Sequence, residues 1–369
     1  MDNCVIPHGY KATALGIIPQ EWEVMLLGNL SNSISSGRNK HRDAHGQYPV
    51  FGSTGIIGYS STYEYEGPVI LVARVGANAG TLNFASGQYD VSDNTLIIPI
   101  KQNVYDYNFA YNQLTHYKLN KLVFGSGQPL ITSKQLKNIR IPVPPLAEQR
   151  KIAEVLGVWD KAIEKQARLI EKLALRKRAL MQRLLSAKLR LPGFSEPWKK
   201  VKLGDVAELY QPQTIQSEDL SQTGYPVYGA NGLIGYYNNY NHEYPQVVIT
   251  CRGSSCGTVN FTPGKCWITG NAMVLNVDNN RDVNKSFFYY LISNSSFVNL
   301  ISGSGQPQIV RQPLLKFELR IPPLKEQTAI AEVLTAADRE IDLAKEKLER
   351  LRRQKRGLMQ QLLTGKKRI

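Results

Sequence analysis

Apolar residues recur along two long stretches of the chain, at spacings that alternate between four and three residues. This spacing predicts long α-helices, each with an apolar seam that packs on another helix as in a coiled coil. The first seam runs from Ile152 to Leu184 and the second from Ile330 to Leu362, and each predicts a rod of roughly 50 Å. The apolar seam positions are Ile152, Leu156, Trp159, Ile163, Ile170, Leu173, Leu180, Leu184, Ile330, Leu334, Ile341, Leu348, Leu351, Leu358 and Leu362.

Three polar residues occupy seam positions: Gln166, Lys177 and Lys355. A polar residue in a seam can fix the register of two helices at some cost in stability. One alternative is that each stripe packs only on its own globular part. The presence of two matching stripes in one chain favours pairing between the helices, and a two-fold relation between them predicts an antiparallel pair.

Both helical stretches belong to a repeat that covers nearly the whole chain. FGSTGIIGY (residues 51–59) matches YGANGLIGY (228–236), GSGQP (125–129) recurs unchanged at 303–307, and PPLAEQRKIAEVL (144–156) matches PPLKEQTAIAEVL (322–334). The spacing between copies is 176 residues from Trp22 to Trp198 and 178 from Gly125 to Gly303. A period this long indicates a duplicated domain rather than a solenoid.

The rest of each copy predicts a globular head with strands and short helices. Buried strands are predicted at PVILVARVG (68–76) and PQVVITCRG (245–253), and helices at residues 108–119 and 286–297. The predicted domains are a first head at 1–147, a first long helix at 148–190, a second head at 191–325 and a second long helix at 326–369. The predicted fold class is α+β: two globular α/β heads and two long antiparallel helices that form an intramolecular coiled coil, in a pseudo-two-fold tandem repeat.

The net charge is +15 and the isoelectric point is near 9.5. This balance favours a polyanionic partner, most often nucleic acid, although a merely basic soluble protein is the alternative. Much of the excess lies on the helices, where basic clusters such as residues 176–178 and 352–353 suit either DNA or a protein partner. The chain has no apolar run that would span a bilayer and no signal-peptide core at its start. We therefore expect a soluble cytoplasmic protein without a membrane partner.

Motifs for catalysis are missing. The sequence contains neither GxxxxGK[ST] nor HExxH. Cys251, Cys256 and Cys266 suggest a metal, but the repeat places Cys256 and Cys266 opposite Ala79 and Tyr89, and Cys251 at or beside Ala73. We therefore favour buried small hydrophobes over metal ligands. GSGQP resembles a nucleotide-binding glycine loop, yet its proline removes a backbone donor that an anion cradle needs, so a tight turn is the better interpretation.

The ordered, duplicated set of motifs resembles the specificity subunit of type I restriction–modification enzymes. The set comprises IPxxWxxxxLG, YGxNGxIGY, GSGQPxI, PPLxEQxxIAxVL and a heptad helix that ends in LMQxLL. The resemblance implies that each head is a target recognition domain for one half of a split sequence in double-stranded DNA, and that an antiparallel coiled coil spaces the two heads. It implies no activity and no cofactor for this chain itself.

The partners implied by the resemblance are two methylation subunits, which use S-adenosylmethionine to methylate adenine at N6. Two optional restriction subunits, with ATP and Mg²⁺, would complete a nuclease. An alternative is a non-enzymatic coiled-coil scaffold that presents two protein-binding heads. That alternative predicts no sequence-selective binding of DNA even when the methylation subunits are present.

Segments that diverge between the copies are the candidates for reading bases. Residues 35–47 of the first head carry Arg38, Lys40, His41 and Arg42, and residues 210–224 of the second carry Gln213, Thr214 and Gln216. Arginine and lysine suit guanine, whereas glutamine suits adenine. A solvated surface loop is the open alternative for both segments.

Shared positions are candidates for phosphate contacts. Arg74 with Asn78 is set opposite Arg252 with Ser254 and Ser255, because each arginine ends an apolar strand and opens a glycine loop. Either DNA contact or a structural ion pair is compatible with these positions. Ser126 and Ser304 of the two GSGQP stretches are candidates to contact phosphate or only to hold the turn.

Overall fold

The computed structural model describes residues 6–125, 129–229, 232–303 and 305–369. The chain forms two compact units. The first comprises residues 1–167 and 347–369, and the second comprises residues 168–346. Each unit therefore combines one head with parts of both long helices, whereas the sequence predicted heads and helices as separate domains.

The first unit begins with short strands and helices that build its head. Its strands are β1 (Tyr10–Thr13), β2 (Gly16–Pro19), β3 (Glu23–Leu26), β4 (Ser35–Ser36), β5 (Tyr48–Gly52), β6 (Gly55–Ser60), β7 (Tyr65–Glu66), β8 (Val69–Ala73), β9 (Leu82–Ala85), β10 (Gln88–Val91), β11 (Thr95–Ile98) and β12 (Arg140–Val143). Its short helices are α1 (Leu27–Leu30), α2 (Tyr107–Tyr117) and α3 (Ser133–Lys137). The first long helix, α4 (Leu146–Leu184), starts in this unit.

Two four-stranded sheets form the body of the first head. One has the order β4-β11-β8-β9 and is antiparallel. The other has the order β6-β5-β10-β7, in which β5 and β10 run parallel. Strand β8 is buried at every position because both faces of this apolar strand are covered. Strand β3 pairs with β12, and β12 leads through two prolines into α4.

The second unit repeats this arrangement. Its strands are β13 (Lys199–Lys202), β14 (Glu208–Tyr210), β15 (Tyr225–Gly229), β16 (Gly232–Tyr237), β17 (Val247–Thr250), β18 (Val259–Phe261), β19 (Trp267–Ile268), β20 (Ala272–Asn276) and β21 (Glu318–Ile321). Its helices are α5 (Leu203–Val206), α6 (Lys285–Ser293), α7 (Arg311–Leu315) and the start of α8 (Leu324–Leu362). The sheets are β14-β20-β17-β18 and β16-β15-β19, and the pair β15–β19 is parallel.

The long helices begin and end slightly earlier than predicted. Helices α4 and α8 start two residues before the predicted boundaries, directly after the proline pairs, and they end at Leu184 and Leu362. Helix α2 also ends early, because Lys118 adopts a left-handed conformation with φ of 59°. No helix in the described part of the chain is both long and apolar enough to cross a membrane.

Helices α4 and α8 pack antiparallel within each unit. In the first unit Lys355 Nζ lies 2.6 Å from Asp160 Oδ1, and in the second Lys177 Nζ lies 2.5 Å from Asp338 Oδ1. Every predicted seam position is buried or half-buried. The predicted antiparallel coiled coil is confirmed, and two of its polar seam residues, Lys177 and Lys355, make ion pairs across it.

The core of the first unit joins head and helices. It includes Trp22, Phe109 and Ile70 of the head, Ile152 of α4 and Leu362 of α8, all at most 2% exposed. Each buried aliphatic or aromatic side chain of this kind contributes roughly 2 kcal/mol. The first head is therefore held on parts of both long helices rather than on α4 alone.

Candidate nucleic-acid interface

The divergent segment of the first head, residues 35–47, crosses the end of strand β10. Gly37 N donates to Thr95 O at 2.9 Å and Arg38 N donates to Val91 O at 3.0 Å. A Cβ atom on Gly37 would lie 2.3 Å from Val91 O. Only glycine allows this close approach of two backbones, so the start of the segment is fixed on the sheet.

The four predicted base-reading residues of this segment are all exposed. They are Arg38, Lys40, His41 and Arg42. The Arg38 side chain is 83% exposed, and its Nη1 lies 3.8 Å from Glu64 Oε1. An exposed ion pair of this length contributes little to stability. The Arg38 guanidinium can therefore leave Glu64 and bind another anion with little loss of folding free energy.

Arg42 is held more firmly than its neighbours. Its Nη1 donates to Asn39 Oδ1 at 3.0 Å and to His41 O at 2.8 Å, and its stem lies against Gly58. The amide nitrogen of Asn39 donates in turn to the Asp90 carboxylate. The role of Asn39 was not predicted, because the sequence around an uncharged loop residue gives no sign that its side chain orients an arginine.

The divergent segment of the second head is also exposed, but its chemistry differs. Gln213, Thr214 and Gln216 are all exposed. The main-chain oxygen of Gln213 accepts a bond from Trp267 Nε1 at 3.3 Å, which ties this part of the segment to strand β19. Residues 210–224 contain two acidic residues and no lysine or arginine. The two heads thus present a cationic and a neutral-to-acidic surface at equivalent places.

A shared hairpin carries both segments. In the first head Asp43 N donates to Tyr59 O at 2.9 Å, and in the second Ser221 N donates to Tyr236 O at 2.8 Å. Tyr59 and Tyr236 are equivalent residues of strands β6 and β16. The two heads therefore attach unlike segments to the same scaffold.

The glycine loops after β8 and β17 correct one prediction. Gly76 N donates to Pro129 O at 2.9 Å and Gly253 N donates to Pro307 O at 3.0 Å, which makes these two glycines equivalent. Arg74 then corresponds to Cys251, and Arg252 corresponds to the residue after Arg74. The prediction that Arg74 stands opposite Arg252 is wrong by one residue, because the extra residue of the second copy enters further along the chain.

Arg74 and Arg252 accordingly lie in different surroundings. Arg74 is half-buried, its Nη1 is 3.5 Å from Asp93 O, and its Nε is buried with no hydrogen-bond partner in the described part of the chain. Arg252 is exposed, and so are Asn78 and Ser254. Three of these four candidates are thus accessible to a polyanion, whereas Arg74 is half-buried.

Ser126 and Ser304 lie outside the described residues. The residues on either side of them pair with each other, Phe124 with Leu130 and Ser302 with Gln308. The carbonyl oxygens of Pro129 and Pro307 accept the bonds from Gly76 N and Gly253 N, so each of these paired segments lies beside the glycine loop of its head.

The cysteines and histidines form no metal cluster within the described ranges, where no group of three or more His, Cys, Asp or Glu side chains could hold an ion. Burial raises the pKa of Cys251 to about 11. A thiol with such a pKa is protonated at neutral pH in the metal-free chain.

A carboxylate at the start of each long helix was not singled out from the sequence. Glu326 is 1% exposed and accepts bonds from Arg190, and Glu148 is 7% exposed and accepts bonds from Arg368. Trp22 Nε1 also donates to Glu148, at 3.1 Å. The available signal was the repeat itself, since both the glutamates and the arginines recur at the same offset.

The fold and these surfaces define a duplicated protein whose two heads share a scaffold and differ in their exposed segments. The chain belongs to the type I restriction modification DNA specificity domain family, whose model matches residues 19–174 and 195–353.

Among curated relatives, the chain is 24% identical to the type I restriction enzyme MjaVIII specificity subunit of Methanocaldococcus jannaschii, over 95% of this chain and 94% of that protein. It is 26% identical to the putative type I restriction enzyme MjaX specificity subunit of the same organism, over 98% and 97%.

Two solved structures share the fold. One is the crystal structure of a type I restriction–modification S subunit from M. genitalium, with a TM-score of 0.65 and 19% identity over 93% of this chain and 96% of that one. The other comes from work on complex assembly and conformational transition of the type I system, with a TM-score of 0.58 and 19% identity over 94% and 99%.

Proposed function

We propose that this chain is the DNA sequence-recognition subunit of a type I restriction–modification complex, and that each head reads one half of a bipartite target. The observation that carries the proposal is the pairing of an equivalent scaffold with unlike exposed segments. Arg38 and Arg42 of the first head suit guanine, and Gln213 and Gln216 of the second suit adenine. A duplicated reader with different surface chemistry fits a split target with two different halves.

The chain itself has no part in bond making or breaking under this proposal. It would assemble in the cytoplasm with two methylation subunits, which hold S-adenosylmethionine and methylate adenine at N6. Two restriction subunits with ATP and Mg²⁺ would complete the nuclease. The packed helices α4 and α8 would set the spacing of the half-sites and dock the methylation subunits.

Methylome sequencing of a host that expresses this chain with its methylation subunit tests the proposal. We expect one split motif with modified adenines in both halves, absent from a host with the methylation subunit alone. Purified chain without partners should show neither methylation nor cleavage. A scaffold with protein-binding heads predicts assembly with partners but no split motif, and that result would refute the proposal.

A further inference from the structure

Two buried glutamines, Gln149 near the start of α4 and Gln327 near the start of α8, join each long helix to its own head. Gln149 is 0% exposed. Its Oε1 accepts from Asp106 N at 2.8 Å, and its Nε2 donates to Val104 O at 2.9 Å and to Pro144 O at 2.8 Å. An amide side chain has two donor hydrogens and one acceptor oxygen, and all are used here.

Gln327 makes the same three bonds in the second unit. It is 1% exposed, its Oε1 accepts from Asn284 N at 2.9 Å, and its Nε2 donates to Asp282 O and Pro322 O, each at 2.9 Å. The two heads differ in many side chains, yet this set of bonds is unchanged. The repetition indicates that the joint serves both heads in the same way.

The residues that the glutamines bind are themselves anchored. Asp106 is the N-cap of α2 and accepts from Phe109 N at 3.0 Å, and Asn284 is the N-cap of α6 and accepts from Phe287 N at 3.0 Å. Phe109 and Phe287 are 0% exposed in the cores of their heads. Each glutamine therefore connects the first turn of a head helix, the proline segment and the long helix.

A buried polar contact between head and helix costs desolvation free energy that an apolar contact avoids, since every buried donor and acceptor must find a partner. Apolar contact is non-directional and would hold the head on the helix over a range of angles. Three hydrogen bonds with short distances are directional and select one angle. Apolar contact would be enough to hold the head on the helix. The three directional hydrogen bonds are needed only if the head must keep one orientation relative to the helix.

We propose that Gln149 and Gln327 are positioning residues that set the orientation of each head on its long helix, and through it the spacer length that the complex accepts between half-sites. This inference rests on the proposed function for its DNA consequence. The orientation itself is independent of that function and can be measured on the chain with its partners.

The substitution Gln149→Asn tests the proposal, because it keeps the amide but withdraws it by one methylene. The matched control is Gln135→Asn in the same head. Gln135 also bonds backbone, with Thr132 N donating to its Oε1 and its Nε2 donating to Leu122 O, both at 2.8 Å, and these partners lie outside α4. Spin labels at exposed Thr115 of α2 and Lys165 of α4 report the angle within the first unit.

We expect Gln149→Asn to broaden the label-to-label distance distribution, and Gln135→Asn to leave it unchanged at a similar loss of thermal stability. In the assembled complex, methylation of targets with a spacer one base pair longer or shorter, relative to the native spacer, should rise at least about fivefold, since that is the effect of losing only one of the three hydrogen bonds. The half-site sequences should stay the same.

An unchanged distance distribution for Gln149→Asn overturns the proposal, whatever happens on DNA. A broadened distribution with unchanged spacer preference overturns its DNA part. If the wild-type complex methylates no split motif, the proposed function fails, and the label distances still decide the role of the glutamines. Gln327→Asn should reproduce the spacer effect from the other half-site, and a lack of that effect counts against a shared role.

Discussion

Arg190 and Glu326, which are far apart in the chain, form a bidentate ion pair. Arg190 Nε donates to Glu326 Oε1 at 2.6 Å and Arg190 Nη2 donates to Oε2 at 2.8 Å. In the first unit the equivalent pair is Arg368 and Glu148. Glu148 lies in the first turn of α4, and Arg368 follows the end of α8. Residues of the second copy therefore complete the unit that holds the first head.

Removal of this arginine should destabilise the second unit. Arg190→Ala leaves the carboxylate of Glu326, which is 1% exposed, without its partner. Breaking a buried pair in this way costs about 3 kcal/mol. Thermal unfolding of the chain with its partners should show a lower midpoint for the second unit, with the first unit unaffected.

The control for this substitution is Arg178→Ala, on an exposed part of α4. A surface change of that kind stays within about 0.5 kcal/mol. The double variant Arg190→Ala, Glu326→Gln should recover part of the loss, because the buried charge is gone. Equal midpoints for Arg190→Ala and Arg178→Ala would contradict the role of the pair.

Gly37→Ala should displace the first reading segment. The new methyl group would lie 2.3 Å from Val91 O and cannot be accommodated without a backbone shift. We expect recognition of the first half-site to fall while the second half-site is read as before. The measurement is a methylation assay on DNA targets in which one half-site at a time is altered. Gly357→Ala, on a helix with open space around it, is the matched control and should stabilise α8 by roughly 1 kcal/mol.

Arg38→Ala with Arg42→Ala should change or abolish methylation of one half-site without a loss of stability, because both side chains are exposed. The slope of binding affinity against salt should also fall if either arginine contacts phosphate. Gln213→Ala with Gln216→Ala should affect the other half-site and leave the salt slope unchanged. Unaltered methylation specificity in both double variants would remove these segments from the interface.

His242 should make the second unit sensitive to mild acid. Burial lowers its pKa below 6.5, and Asp278 opposes this to a smaller extent. The Asn241 amide oxygen lies 2.6 Å from Nδ1 and the Tyr210 hydroxyl 2.9 Å from Nε2. This arrangement suits a neutral ring that donates to Asn241 and accepts from Tyr210.

Because the native state takes up the His242 proton less readily than the unfolded chain, stability should fall as the pH drops through 6.5. The slope is at most about 1.4 kcal/mol per pH unit for one group. Unfolding midpoints at pH 7.5 and pH 5 should differ more for the wild-type chain than for His242→Gln. Equal pH dependence in the two proteins would contradict this prediction.

The helices and central strands could be predicted because their signals are periodic and long. The seam from Ile152 to Leu184 extends over many turns, so one ambiguous position does not change the outcome. Strand β8 was predicted from an unbroken apolar run, and the structure buries all five of its residues, Val69–Ala73. Burial of this kind can be predicted from the composition of the strand, without knowing which distant residues cover it.

The residues of the candidate site were harder to predict from the sequence than the helices and strands. The pairing of Arg74 with Arg252 failed because the offset between copies changes by one residue, and a glycine loop offers no periodicity that would locate the change. The roles of Asn39, Gln149 and Glu326 depend on partners tens to more than a hundred residues away. Such contacts are set by the tertiary fold, and a single sequence contains no local pattern for them.

The division of the chain into units has a consequence for the order of folding during synthesis. The second unit is continuous, residues 168–346, whereas the first also requires residues 347–369. The head that leaves the ribosome first therefore lacks Leu362 and Arg368 of its own unit until residues 347–369 have been synthesised. The head made later can close earlier, and the first one must wait for the last turns of α8, exposing apolar surface in the interval.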